Sequence, residues 1–167
     1  NPYDINYLGK ESEINISELE NYFFVAIGDN HKRREKATKL RSQKILTPNL
    51  IHPSSSLSKN IELGIGNFIA RNVAVNDLCS FKDDVIINTG AIIDHGCLIS
   101  SAVHIGPGSI LCGDVKVGEN TFIGARTVVK EGIKIGKNVI IGAGSVVIND
   151  VPDGRIIYGN PAKQIDD

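Results

Sequence analysis

Ile87-Asn88-Thr89-Gly90-Ala91-Ile92 and Ile93-Asp94-His95-Gly96-Cys97-Leu98 are two successive six-residue phrases, each opening on Ile and holding a small residue, Ala91 or Cys97, in fifth place. The phrase extends in both directions without an insertion. Its first place is held by Leu57, Leu63, Ile69, Val75 and Phe81 on one side. On the other it is held by Ile99, Ile105, Leu111, Val117, Ile123, Val129, Ile135, Ile141 and Val147. Sixteen consecutive hexads, residues 57–152, therefore begin with an aliphatic side chain or Phe. The fifth place is mostly small or β-branched, with Val73, Cys79, Val85, Val103, Ser109, Thr121, Thr127 and Ser145 among its occupants. Gly holds the second place at Gly64, Gly106, Gly118, Gly124, Gly136 and Gly142, where the chain is expected to turn after each short strand. A helix repeats every 3.6 residues and a half-buried strand every two, so a sustained period of six indicates a solenoid.

If three hexads make one triangular coil, residues 18 apart stack on neighbouring strands at about 4.8 Å. Cys79 and Cys97 are 18 apart and share the inward fifth place. They read as stacked small core residues, because a free Cys commonly behaves as a small buried hydrophobe. The three Cys form neither a disulfide framework nor a metal-binding CxxC pair.

The composition agrees with a narrow core of branched side chains. Of 167 residues, 41% are hydrophobic but only 5% aromatic, and 17 are Gly. Eighteen Lys and Arg against 19 Asp and Glu leave a net charge of −1, which offers no counterion-release grip on nucleic acid. No apolar run reaches the roughly 18–20 residues that span a bilayer. A soluble, cytoplasmic protein with no nucleic-acid or membrane partner is expected.

The chain divides near residue 50. Within residues 1–50, Ile16 to Glu20 reads as one or two helical turns, and Tyr22 to Ile27 as a buried strand ending at Gly28-Asp29-Asn30. Asp29 or Asn30 can cap a helix that runs to about Arg41. A Gly turn before a helix N-terminus either presents backbone N–H groups to a phosphate or sugar hydroxyl, or is simply a turn. The basic run between residues 31 and 44 is interrupted by Glu35 and apolar positions, and reads as a solvated helix face.

The uninterrupted hexads resemble the left-handed parallel β-helix of the hexapeptide-repeat acyltransferases. Four further segments narrow the resemblance: Phe24 to Asn30, Ile51-His52-Pro53-Ser54, Asn88 to His95, and Gly159-Asn160-Pro161-Ala162-Lys163. Together they resemble the sugar acetyltransferases that include sialic-acid O-acetyltransferases, bacillosamine N-acetyltransferases and perosamine N-acetyltransferases. The resemblance implies a partial small Rossmann-like α/β domain over residues 1–50 that binds a sugar nucleotide. It implies a left-handed β-helix acetyltransferase domain with a C-terminal extension over residues 51–167. Asn1 to Asp4 would follow the second strand of the small domain, with its opening Gly-rich loop outside these residues.

The same resemblance implies acetyl-CoA as cosubstrate, no metal, a homotrimer with acetyl-CoA in the groove between adjacent solenoids, and a role in cell-surface glycan biosynthesis. It makes His95 the general base, suited by an ordinary pKa near 6.5, and places Asn88 near the catalytic centre. His104 would contact the cofactor from a neighbouring subunit, the alternative being an ordinary exposed histidine. The backbone amides of Ala125 and Ala143, one coil apart, would bind the pantetheine arm or the thioester carbonyl. Gly28, Asp29 and Asn30 would contact the substrate.

Position alone makes His95, in third place of its hexad, an outward residue; His104, nine residues later, falls on another face. Several relatives carry Glu or Asp directly after the catalytic His, whereas this chain has Gly96. Asp94 has two readings: it orients His95, although adjacent residues tend to point apart, or it accepts a backbone bond within its own turn. The expected activity is N-acetylation of a nucleotide-linked amino sugar. O-acetylation of sialic acid or another small hydroxyl acceptor is the alternative, and a non-catalytic ligand-binding solenoid a third.

Overall fold

The computed structural model describes residues 6, 7, 9, 10 and 22–164. The helical turns expected at Ile16 to Glu20, and the stretch Asn1 to Asp4, lie outside the described residues.

The hexads form a left-handed β-helix. Each contributes a two-residue strand, and three stacks of such strands make the three walls of a prism. One wall is an eight-stranded sheet and the others have six and five strands. Ser56–Leu57, Ala74–Val75, Ile92–Ile93, Ile110–Leu111, Val128–Val129 and Val146–Val147 form the six-stranded wall. Pairing is parallel and in an 18-residue register, as in Leu57 with Val75 and Val75 with Ile93. The eight-stranded wall begins before the first hexad, because Leu50–Ile51 pairs with Phe68–Ile69.

Hexad positions explain burial directly. From Ile69 to Val147, every first-place side chain is at most 3% exposed. The fifth place is equally inward, and most of its polar members bond to the next coil, whereas Ser145 donates to the Gly142 carbonyl three residues back and Asn67 Nδ2 has no partner among the described residues. Ser109, Thr121 and Thr127 donate to the carbonyls of Gly124, Gly136 and Gly142, each 15 residues on. Cys79 and Cys97 follow the same rule toward the carbonyls of Asp94 and Cys112. The two thiols are at most 1% exposed and stand in the core where Ser or Thr stands elsewhere.

The second-place glycines do not make the turns. Positive φ falls in the fourth place instead, on Leu78, Asp84, Ala102, Asp114 and Arg126 as well as on Gly96. What the second place lacks is room: a β-carbon at Gly124 would lie 2.5 Å from the backbone nitrogen of Ala143, and one at Gly106 would lie 2.7 Å from that of Ala125. Successive coils approach too closely there for a side chain.

Helix α1, Asn30–Ser42, begins where expected, with Asp29 as its cap accepting a hydrogen bond from the Lys32 amide at 2.8 Å. The expected strand before it does not form. Tyr22 makes a single bridge to Leu46, and the Ile27 amide bonds to the Val25 carbonyl at 3.0 Å. That local turn spends groups a sheet would need.

The basic run is not simply a solvated face. Arg33 is 1% exposed, and its guanidinium donates to the carbonyls of Asp84, Ile27, Gly28 and Ala102 and to Asn30 Oδ1 at 2.8–3.1 Å. Burial lowers its pKa to about 10. Arg41 forms a two-pronged pair with Asp84 at 2.9 and 2.5 Å. These bonds dock α1 on the solenoid.

The period of six ends after Val147. Asp150 accepts from the Lys134 amide and Val151 bridges Ile135, 16 residues back rather than 18. Ile156–Gly159 then pairs with Ile140–Ile141 and folds into an antiparallel hairpin with Ala162–Gln164.

Candidate active site

His95 sits at the corner that follows the strand Ile92–Ile93, with 60% of its side chain exposed. Asp94 turns with it rather than away. Asp94 Oδ1 accepts the His95 backbone amide at 2.8 Å and faces His95 Nδ1 at 3.1 Å. One oxygen therefore serves both readings of Asp94, closing the turn and meeting the ring. With Nδ1 engaged, Nε2 has no hydrogen-bond partner among the described residues. The hydrogen bond to Asp94, then its charge, then the more distant Asp114, raise the His95 pKa above the ordinary value. Asp94 itself is held below the usual carboxylate range, first by a hydrogen bond from Asn76 at 2.8 Å and then by the His95 amide.

Two absent side chains shape this corner. Gly113, 18 residues beyond His95, leaves the space that the imidazole fills. Gly96 has φ of +69°, and the Asp114 carboxylate occupies the place where its β-carbon would be. The site therefore draws its second negative charge from the following coil. His95 and Asp94 open onto a cleft of about 350 Å³ that Ser56, Ser58, Asn76 and Asp77 also line. Ser58 donates to Asp77 across the coil boundary.

His104 belongs to another wall, in the strand His104–Ile105, so the two histidines lie on different faces of one chain. It meets Asn88 within that chain: Asn88 Nδ2 lies 3.3 Å from His104 Nε2 while Asn88 Oδ1 accepts the Thr89 amide. His104 also packs edge-on against Phe122, with ring centres 5.1 Å apart. Its Nδ1 is buried without a hydrogen-bond partner of ordinary geometry, although the Gly28 backbone acts on the ring. Burial, and secondarily Arg33, lower its pKa, keeping it neutral at pH 7.

Gly28, Asp29 and Asn30, with His31, line a second cleft of about 330 Å³ against Asn120, Phe122, Asn138 and Ile140. Asn30 is only 8% exposed and its amide is already committed, donating to the carbonyls of Asn120 and Thr121 and accepting from Arg33. Asp29 spends an oxygen on its cap. Ala125 and Ala143 stand one coil apart, and neither N–H takes part in a backbone hydrogen bond among the described residues.

Residues 96–131 and 114–149 match the family described as bacterial transferase hexapeptide (six repeats). The chain is similar to the perosamine N-acetyltransferase of Caulobacter crescentus, solved as a mutant with CoA and GDP-perosamine. The identity is 41%, the TM-score 0.90, and the match covers 91% of this chain and 72% of that one. The chain belongs to the hexapeptide-repeat sugar acetyltransferases.

The acetyltransferase domain of PglB from Neisseria gonorrhoeae, solved with acetyl coenzyme A, agrees at 34% identity and a TM-score of 0.87, over 90% of this chain and 75% of that one. WeeI from Acinetobacter baumannii, at 20% identity and a TM-score of 0.75 over 86% and 70%, shares the fold. In this acetyltransferase, no cluster of three or more His, Cys, Asp or Glu able to hold a metal occurs among the described residues. No described helix is long and apolar enough to cross a membrane. The sequence reading missed Asn76, Gly113 and Asp114. The 18-residue register pointed to all three, as they lie one coil from Asp94, His95 and Gly96.

Proposed function

We propose that this acetyltransferase moves the acetyl group of acetyl-CoA to the amine of a nucleotide-linked amino sugar, with His95 as general base. The carrying observation is the Asp94–His95 pair at the edge of a cleft with Nε2 unshared, in a chain 41% identical to an enzyme solved with CoA and GDP-perosamine. His95 Nε2 takes a proton from the acceptor amine as its nitrogen bonds to the acetyl carbonyl carbon. Collapse of the tetrahedral intermediate breaks the carbon–sulfur bond, and the imidazolium returns its proton to the departing thiolate. No covalent enzyme intermediate is needed, and holding both substrates together supplies much of the rate.

Asp94 orients His95 and stabilises its charged form. Asn88 and His104 act as a pair near the transferred group, His104 neutral and packed on Phe122. Ala125 and Ala143 offer unspent N–H groups to acetyl-CoA, and the bare Gly106 and Gly124 beside them keep the backbone accessible. Gly28 and Asp29 contribute backbone to the substrate, while Asn30 shapes the turn from within. The region before residue 50 is read as belonging to a Rossmann-like nucleotide-binding domain. The working enzyme is a cytoplasmic homotrimer, an assembly favoured by the apolar outer faces that carry Ile92, Phe122 and Ile140, each 38–46% exposed.

The test monitors CoA release from acetyl-CoA with UDP-, GDP- and dTDP-linked amino sugars and with sialic acid, for wild type and His95→Ala. Activity on an amino sugar, with at least about 100-fold loss in the variant, is expected. Turnover on sialic acid alone overturns the substrate class, and unchanged turnover in His95→Ala overturns the base.

A further inference from the structure

We propose that Asn76 is a positioning residue for acetyl transfer: reaching across one coil, its side-chain amide holds the Asp94 carboxylate in the orientation that faces His95 Nδ1. The proposal rests on His95 acting as the base, and it assigns what keeps that base aligned in a chain with Gly96 in the following position.

Asp94 needs such a hold. Its side chain is 40% exposed, so packing alone does not select a rotamer, and neighbouring residues on extended backbone point apart. Three donors converge on Asp94 Oδ1: the His95 amide at 2.8 Å, His95 Nδ1 at 3.1 Å and Asn76 Nδ2 at 2.8 Å. The first two come from the residue being oriented. Among the described residues, Asn76 alone hydrogen-bonds the carboxylate from another coil, and its own backbone is pinned by a 2.9 Å bond from its amide to the Ile93 carbonyl. Asn76 therefore ties the catalytic corner to the preceding coil, and it also lines the cleft into which His95 opens.

A positioning role and a charge-tuning role predict opposite outcomes. The groups acting on His95 are Asp94, Asp114 and the Cys79 thiol, and Asp77 shares the cleft. If Asn76 merely neutralised part of the Asp94 charge, removing it would strengthen the hold of Asp94 on the imidazolium and raise the His95 midpoint. If Asn76 positions Asp94, its removal lets the carboxylate swing away and the midpoint falls.

The experiment is a pH titration of the His95 ring by nitrogen NMR in wild type, Asn76→Ala and the uncharged, similarly sized Asn76→Leu, with thermal melting as a control for folding. Steady-state kinetics accompany it. Expected are a His95 midpoint lowered toward 6.5 and loss of the single Nδ1–H tautomer in both variants. In Asn76→Ala, kcat should fall roughly 10-fold with KM for the acceptor unchanged. An unchanged or raised midpoint overturns the proposal, as does a rise in KM with kcat intact. The titration needs no substrate. If wild-type protein transfers no acetyl group, the proposed reaction fails while the NMR result still decides whether Asn76 holds the pair.

Discussion

The imidazole of His95 lies against Gly113 one coil further on: a β-carbon placed on Gly113 would stand 2.6 Å from Cε1 and 2.7 Å from Nε2. Gly113 has no positive φ, so Ala is compatible with its backbone, and the group that must yield is the exposed ring. Gly113→Ala is therefore expected to leave the melting temperature near that of wild type while lowering kcat by about 10- to 100-fold, because a displacement near 1 Å suffices for that loss. A kcat equal to wild type would show that the ring has a second productive position.

With His95 as the proposed base, the Asp94–His95 pair would set the acidic limb of the pH profile. Asp94 raises the His95 pKa, so the proposed base would be protonated and idle below a midpoint that lies above 6.5. Asp94→Asn removes the charge, and the acidic limb of kcat/KM should move to lower pH, toward the ordinary histidine value. The plateau should also fall, since an uncharged amide stabilises the imidazolium less. A limb that stays in place would assign it to another group.

Pro107 indicates how to test the two amides proposed to hold acetyl-CoA. It occupies the same hexad place as Ala125 and Ala143, so the backbone at this corner accepts Pro. Ala125→Pro and Ala143→Pro delete one N–H each without disturbing the backbone bonds, in which neither N–H takes part. Each is expected to raise KM for acetyl-CoA by about 5- to 10-fold, the worth of one hydrogen bond of roughly 1–1.5 kcal/mol. An unchanged KM in both variants would remove these amides from the cofactor site.

Arg33 carries the docking of α1. Arg33→Met keeps much of the side-chain volume but leaves the carbonyls of Asp84, Ile27, Gly28 and Ala102 without this donor. Loss on the order of 3 kcal/mol is expected in urea unfolding monitored at α1, for example by a fluorophore attached at Lys32. The solenoid walls have their own ladders and should unfold at the wild-type concentration. A single unshifted transition would show that these bonds contribute little.

The solenoid is readable from the chain because each hexad decides its own burial. A first-place Ile93 or Ile105 points inward whatever its neighbours do, and repetition turns that local preference into walls and a core. The cap at Asp29 is readable for the same reason, since cap and amide are three residues apart. The glycines show the limit of local reading. Gly106 and Gly124 look like turn formers, but their necessity arises from the next coil, and the turns are made by residues as unremarkable locally as Leu78 and Arg126. Likewise the basic run of α1 carries no mark that Arg33 is swallowed while Lys32 is exposed.

The sequence by itself determined the period, the inward phases, the 18-residue register and the outward place of His95. These follow from side-chain chemistry repeated along a covalent chain. The tertiary structure decided which groups meet across coils. It joined Asn76 to Asp94, set His95 over Gly113, brought Asp114 into the space beside Gly96, and paired Asn88 with His104. Rotamers and voids between coils settle those meetings, and neither is written in the order of residues along one coil.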